Sequence, residues 1–356
     1  MINSSIHTVE LYKRVCYSDQ LALSRTMKRL GVPSYSKGHG FVYVLEGRES
    51  TGITSMGLFS HYSKALGYNV DFHLEIALNP MHAVCDTAQK NAKAISPDLL
   101  PDALAAVLFS ADQMFRLDLL DDVSLSRVDF CTDLKFDRQE QADEYIRLLK
   151  KVPCKRVLRE VLHWDSTQRR WVPYSESKLV RCGSYEFQIY PKQPQMLTRG
   201  LSGAEYAKGV VRIELRAGRK KLKSLHYKYA ALLNPCENWC QELMVMAGLS
   251  GKIIEGMMID MLGTGDFYPM KTILQKIDAS GFYACTKQQM KRVLDYFPLH
   301  SSGEDALKHL GLSQKQWRKV VNHFSKIGCC PIPIPTRACQ PWYPGVTNWD
   351  AYFCTA

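Results

Sequence analysis

A tyrosine two residues ahead of a lysine is the first place in this chain where the residue types could do chemistry. The stretch Glu186-Phe187-Gln188-Ile189-Tyr190-Pro191-Lys192 alternates, with Phe187 and Ile189 on one face of a strand and Glu186, Gln188 and Tyr190 on the other. Pro191 cannot donate a ladder hydrogen bond, so pairing should weaken just after the tyrosine. That leaves a phenol on a polar face at a strand end, with an ammonium nearby, an arrangement suited to a nucleophile. The plain alternative is a half-buried strand tyrosine beside a snorkelling lysine, since strands are rich in tyrosine.

Three more strands share the pattern. His73 and Glu75 lie opposite Leu74, Ile76 and Leu78. Arg127, Asp129 and Asp133 lie opposite Val128 and Phe130. Arg212, Glu214 and Arg216 lie opposite Val211, Ile213 and Leu215. Each is half apolar, as an antiparallel sheet covered on one side by helices should be. If the four strands are neighbours, Glu75, Asp129 and Glu214 converge near Tyr190. Carboxylates that close repel unless a divalent cation, Mg²⁺ or Mn²⁺, holds them. Four ordinary strands with solvated polar faces is the other reading. Tyr185 competes with Tyr190 as nucleophile, but five residues is an odd spacing and sends it to the Phe187 face.

The elements around these strands give an α+β fold: an antiparallel sheet with helices on one face and the active site on the other, followed by a mostly helical C-terminal region. Residues 1–85 read as strands and hairpins. His82 to Asp122 is helical in pattern, and Gln139 to Lys151 is an amphipathic helix. Arg156 to Val161 and Arg170 to Pro173 are expected strands, with Trp164 and Trp171 flanking a polar turn. After Asn234-Pro235 the pattern is helical. Expected domains are therefore 1–230, catalytic, and 231–356, helical. Within the latter, residues 303–327 read as a helix-turn-helix, with a turn at Gly311-Leu312-Ser313 and a second helix from Gln314 to Lys326. The tail from Pro331 reads as an irregular strap.

Composition narrows the class. Hydrophobic content of 46% and charged content of 23% indicate a globular chain. No run of eighteen apolar residues occurs, so no membrane span is expected. The N-terminus lacks the regions of a signal peptide, and twelve cysteines without one point to free thiols in a reducing cytoplasm. A phosphate-binding loop and a dinucleotide fingerprint are both missing, which argues against a nucleotide-driven motor. The net charge of +11 concentrates in two runs, Arg147 to Arg181 and Lys208 to Lys228, and favours a polyanionic partner.

The chain resembles the gene II replication initiators of filamentous phages, relatives of plasmid rolling-circle initiators. The resemblance rests on Leu74-Glu75-Ile76, Ser126-Arg127-Val128-Asp129, Tyr190-Pro191-Lys192-Gln193-Pro194-Gln195-Met196 and Gly209-Val210-Val211-Arg212-Ile213-Glu214, in that order over residues 70–225. It implies an enzyme that nicks one strand of a double-stranded origin, becomes joined to the 5′ phosphate through a tyrosine and religates the displaced strand. It gives Tyr190 as nucleophile with Lys192 in support, and Glu75, Asp129 and Glu214 as metal ligands. His73 and Asp133 are further candidates for metal or support. Gln195 departs from the pattern, standing where the family often has Glu.

The expected partners are origin duplex and displaced single-stranded DNA, with host helicase and polymerase, in the cytoplasm of a bacterial host. Candidate DNA contacts are Arg127, Arg156, Arg159, Arg212, Arg216, Arg219, Lys220, Lys221 and Lys223. One rival is a non-catalytic origin-binding protein or repressor using residues 303–327. Another is a metal-dependent nuclease that forms no covalent link.

Overall fold

The computed structural model describes residues 5–45, 51–85, 87–115, 119–153, 158–165, 167, 169–300 and 303–353. The strands are β1 (Ser5–Arg14), β2 (Ser34–Lys37), β3 (Gly40–Val44), β4 (Ile53–Ser63), β5 (Tyr68–Leu78), β6 (Ser124–Lys135), β7 (Arg159–Glu160), β8 (Leu162–Asp165), β9 (Arg170–Pro173), β10 (Lys178–Arg181), β11 (Tyr185–Pro191) and β12 (Val210–Gly218). The helices are α1 (Tyr17–Arg29), α2 (Met81–Val84), α3 (Leu100–Phe115), α4 (Gln139–Lys150), α5 (Lys192–Thr198), α6 (Arg219–Lys228), α7 (Ala230–Leu233), α8 (Trp239–Leu262), α9 (Met270–Ala279), α10 (Ala284–Tyr296), α11 (Gly303–Leu310) and α12 (Gln314–Lys326). A large antiparallel sheet followed by a helical C-terminal region makes this an α+β fold.

Two compact units are present. One comprises Ser4–Cys131 with Arg216–Ser250, and the other Thr132–Leu215 with Gly251–Ala356. The cuts fall inside β6, β12 and α8.

In the first unit the strands pair in the order β2-β3-β4-β5-β1-β6. Ile6, Val9, Leu11, Met56, Leu58, Leu74, Ile76, Val128 and Phe130 are buried, and so are Ala103, Leu104, Val107 and Ala111 of α3. This is the apolar half of the alternation, and burying it is what holds the strands in register. Glu10, Tyr12, Phe59, His73, Glu75 and Arg127 occupy the opposite face. β1 carries a bulge: Ile6 pairs with Phe130 and Val9 with Val128, so His7 and Thr8 together oppose Asp129.

In the second unit the order is β6-β12-β11-β10-β7, and β8 with β9 forms a separate two-stranded hairpin. Phe187, Ile189, Val211, Ile213 and Leu215 are buried, as are Tyr145, Ile146, Leu148 and Leu149 of α4. Gly209 enters β12 with φ at +70°, and a Cβ there would lie 2.3 Å from the Phe136 carbonyl oxygen. Only glycine permits that approach, and the Phe136 amide then donates to the Gly209 carbonyl at 2.9 Å.

The C-terminal stretch packs as the expected strap. The Tyr343 phenol and the Cys339 amide both donate to Glu144 of α4, at 2.5 and 2.7 Å, and the Trp349 indole donates to the Tyr145 hydroxyl at 2.8 Å. Within residues 303–327, α11 and α12 are joined by a short turn. Gly311 has φ at +66°, and Ser313 caps α12 by accepting from the Gln316 amide. No helix among the described residues is long and apolar enough to cross a membrane.

Candidate active site

β11 ends at Pro191 and α5 begins at Lys192, so strand pairing stops one residue after Tyr190, as the proline requires. Tyr190 is on the face of β11 opposite Phe187 and Ile189. Its phenol donates to Glu214 Oε2 of β12 at 2.9 Å. Two residues earlier on the same face of β12, Arg212 donates through Nε and Nη2 to both oxygens of Asp133 on β6, each at 2.7 Å. This is the bidentate guanidinium–carboxylate geometry that gives the strongest ion pairs.

Alternation alone leaves this face open to solvent. In the fold it is covered: Tyr190 is 2% exposed, and Arg212 and Glu214 are 0% exposed. Burial, then the adjacent Glu214 carboxylate, push the phenol well above its usual pKa range; the Arg212 guanidinium pulls the other way. At neutral pH the phenol is therefore protonated and Glu214 Oε2 is its acceptor. Lys192 is buried as well, and its ammonium donates to Gln195 Oε1 at 3.4 Å, one helical turn on. Tyr185 is half-buried, with its pKa raised by burial and by Cys182 and Asp260.

The carboxylates expected to share a cation do not all gather. Glu75 pairs with Tyr12, and Tyr12 pairs with Ser124, whereas Asp129 lies across the His7–Thr8 bulge. Glu75 and Asp129 are thus separated by two strand spacings, about 10 Å, and by roughly 15 Å along the strands. One ion spans only about 5 Å between ligand oxygens, so these two residues do not share one. His73 is still farther along, opposite Arg14, and its ring packs between Tyr12 and Phe59, with centroids at 5.1 and 5.4 Å. Asp133 is held by Arg212. His7 does come to Asp129, with a ring nitrogen within 4.8 Å of an Asp129 oxygen. Both Asp129 oxygens also accept from Arg127, at 2.7 and 2.5 Å, and Arg127 bridges onward to Glu10 at 2.6 Å.

The basic residues divide by exposure. Arg159, Arg219, Lys220 and Lys223 are exposed, Arg216 and Lys221 are half-buried, and Arg156 lies outside the described residues. Arg219 stacks over Tyr12 at 3.8 Å. It begins α6, which with Ser124, Leu125, Asn234 and Glu242 walls a cavity of about 550 Å³. Arg212 and Arg127 are both committed to carboxylates, so neither presents a free guanidinium to a phosphate.

No protein-family model and no curated protein matches the chain. Among solved structures, one similar chain is described as "Structure of Rolling Circle Replication Initiator Protein from Geobacillus stearothermophilus". The TM-score is 0.35 and the identity 8%, over 72% of this chain and 84% of that one. The description is of that protein.

His7 is the site residue that strand alternation does not reveal. Its signal is a broken period. The apolar positions Ile6, Val9 and Leu11 are spaced three and then two apart, and a spacing of three inside a strand marks an extra residue. Glu214 as the acceptor of the Tyr190 phenol cannot be read from spacing, because it depends on how β11 and β12 are registered.

Proposed function

We propose that the protein is a rolling-circle replication initiator that nicks one strand of its origin and joins the 5′ phosphate to Tyr190. The observation that carries this reading is the Tyr190–Glu214 hydrogen bond, set beside the Arg212–Asp133 pair at the end of β11. It supplies a nucleophile, a base already in contact with its proton, and a fixed positive charge that favours the phenolate.

The Tyr190 oxygen attacks phosphorus as its proton passes to Glu214 Oε2. The bond from phosphorus to the 3′ oxygen breaks, and the Lys192 ammonium protonates that oxygen as it leaves. A general base in contact contributes about 10²–10⁴-fold. The resulting 5′-phosphotyrosine conserves the bond energy, so a later 3′ hydroxyl can attack it, return the phenol and close the displaced strand without ATP. Because Tyr190 is covered in this structure, the DNA-bound state must differ from it around the phenol. A phosphate brought to the phenol in that state lies in a water-poor setting, where the charge of Arg212 acts more strongly than it would in water.

A divalent cation is part of the proposal. His7 and Asp129 are among the residues that would hold it, and an imidazole in the donor set suits Mn²⁺ better than Mg²⁺, which favours oxygen alone. When bound, it would polarise a phosphate oxygen. Arg127 orients Asp129 by gripping both its oxygens. The finer reading as a filamentous-phage-type enzyme, with host helicase and polymerase as partners, rests on the sequence resemblance.

A second reading has an observation of its own. Lys315, Arg318, Lys319 and Lys326 are all exposed on α12, while Trp317, Val320, Val321 and Phe324 are buried. A helix so divided after a tight turn suits a DNA-binding repressor. Incubating the full chain with supercoiled DNA of its own replicon in Mn²⁺ separates the readings. A covalent adduct on a Tyr190 peptide is the expected result. Binding without cleavage would favour the repressor, cleavage without an adduct a plain nuclease, and an adduct on another residue would overturn the assignment.

A further inference from the structure

The β8–β9 hairpin stands apart from the main sheet and carries two tryptophans directly opposite each other. Trp164 pairs with Trp171, and their rings meet edge to face with centroids 5.8 Å apart. A cross-strand aromatic pair helps hold a hairpin together, and an isolated hairpin needs such help. That role alone does not account for what surrounds it. The indoles remain 52% and 62% exposed. The hairpin also has another fastening, because the Lys150 ammonium donates to the carbonyls of Tyr174 and Ser175 at 2.6 and 2.7 Å. On the other face of the hairpin His163 stacks on Tyr174, with centroids 4.8 Å apart.

Charge gives the second observation. Three residues before Leu162, Arg159 of the edge strand β7 is paired directly with Arg181 of β10. Both are exposed, and Glu186, 4.0 Å from Arg181, is itself partly in water. Like charges directly opposite each other on a sheet are destabilising unless an anion lies between them. Residues 147–181 hold ten Lys and Arg against three acids. Exposed flat rings for bases, a few residues along the chain from facing guanidiniums for phosphates, are the two halves of a single-strand binding surface. In duplex DNA the base faces are stacked on one another and cannot meet an indole.

We infer that the Trp164–Trp171 hairpin, with Arg159 and Arg181, binds single-stranded DNA by stacking unpaired bases. The inference deepens the proposed function by naming the surface that receives the displaced strand, and it rests on that reading only for the source of the strand. Binding is measured in EDTA, where no nicking occurs, so failure to nick leaves this result unaffected.

The test uses the full chain and fluorescence anisotropy with oligo(dT) and with duplex of equal length. Trp164→Ala with Trp171→Ala should weaken oligo(dT) binding by about 5- to 150-fold per indole that stacks a base. Duplex binding should stay within about twofold. Phe at both positions should restore most of the affinity. Arg159→Gln and Arg181→Gln should each lower the salt slope for oligo(dT) by about 0.7. Should the alanine variant fail to fold by circular dichroism, photocrosslinking of wild-type protein to iodouracil-substituted single strand decides instead. Adducts on the Trp164 or Trp171 peptide support the site. Unchanged oligo(dT) affinity, equal weakening on single strand and duplex, or crosslinks confined to other peptides would each overturn it, and would leave a protein partner as the occupant.

Discussion

Removing one oxygen atom from Tyr190 tests the site most directly. Tyr190→Phe keeps the ring in its packing and deletes only the donor to Glu214. On an exposed tyrosine that change is worth at most about 0.5 kcal/mol. Here the acceptor is a carboxylate at 0% exposure and the bond is 2.9 Å long. Hydrogen bonds to charged groups contribute about 1.5–3 kcal/mol, so the variant should lose stability in that range. For a unit of this size that lowers Tm by about 3–12 °C. Glu214→Leu, alone and combined with Tyr190→Phe, completes a double-mutant cycle in urea, and the coupling energy should exceed about 1 kcal/mol. Alkali provides an independent arm. The folded pKa of Tyr190 is raised, so its contribution is fully present below the unfolded value of about 10 and is lost as pH climbs toward the folded value. The stability gap between wild type and Tyr190→Phe should be flat to about pH 10 and narrow above it. The same variant should form no covalent adduct while still binding DNA. Coupling near zero would refute the hydrogen bond; an adduct formed by Tyr190→Phe would refute the nucleophile.

Asp133→Ala strips the carboxylate from a guanidinium at 0% exposure and should cost about 3–5 kcal/mol in urea unfolding, whereas the paired change Asp133→Leu with Arg212→Met should cost much less. If the single change is harmless, the Arg212–Asp133 pair is not the anchor the geometry makes it. Asp129→Asn and His7→Ala should each weaken Mn²⁺ binding, read by electron paramagnetic resonance, at least about tenfold; unaltered binding by both variants would rule out this ligand pair. Neutralising the exposed Arg219, Lys220 and Lys223 should lower the salt slope for origin duplex by about one unit for each phosphate no longer neutralised, with sequence preference unchanged.

Much of the architecture follows from alternation alone. Leu74-Glu75-Ile76, Val128-Asp129-Phe130 and Val211-Arg212-Ile213 each split cleanly into an apolar and a polar face, because a period of two leaves a half-buried strand no other choice. Pro191 dictates the end of β11 for the same local kind of reason: a missing donor. Gly311 and Ser313 mark the turn and cap between α11 and α12 with chemistry carried within a few residues. Helix α1 interrupts a stretch whose pattern reads as strands and hairpins, since its mixed polar surface buries only Leu23 and Met27 and gives a faint period. What one strand cannot encode is its partner's register. Residues 75 and 129 share a sheet face, but β1 lies between their strands, and the offset along it keeps them apart. The bulge at His7 and Thr8 carries a histidine to Asp129 from more than a hundred residues away. Burial is likewise a property of the assembled chain. Polar residues at Tyr190, Arg212 and Glu214 read as solvated in isolation, yet each buries its charge or hydroxyl by pairing it across neighbouring strands. Sequence thus determined which faces and ends the strands have; only the tertiary structure, through register and cover, decided which side chains on those faces meet.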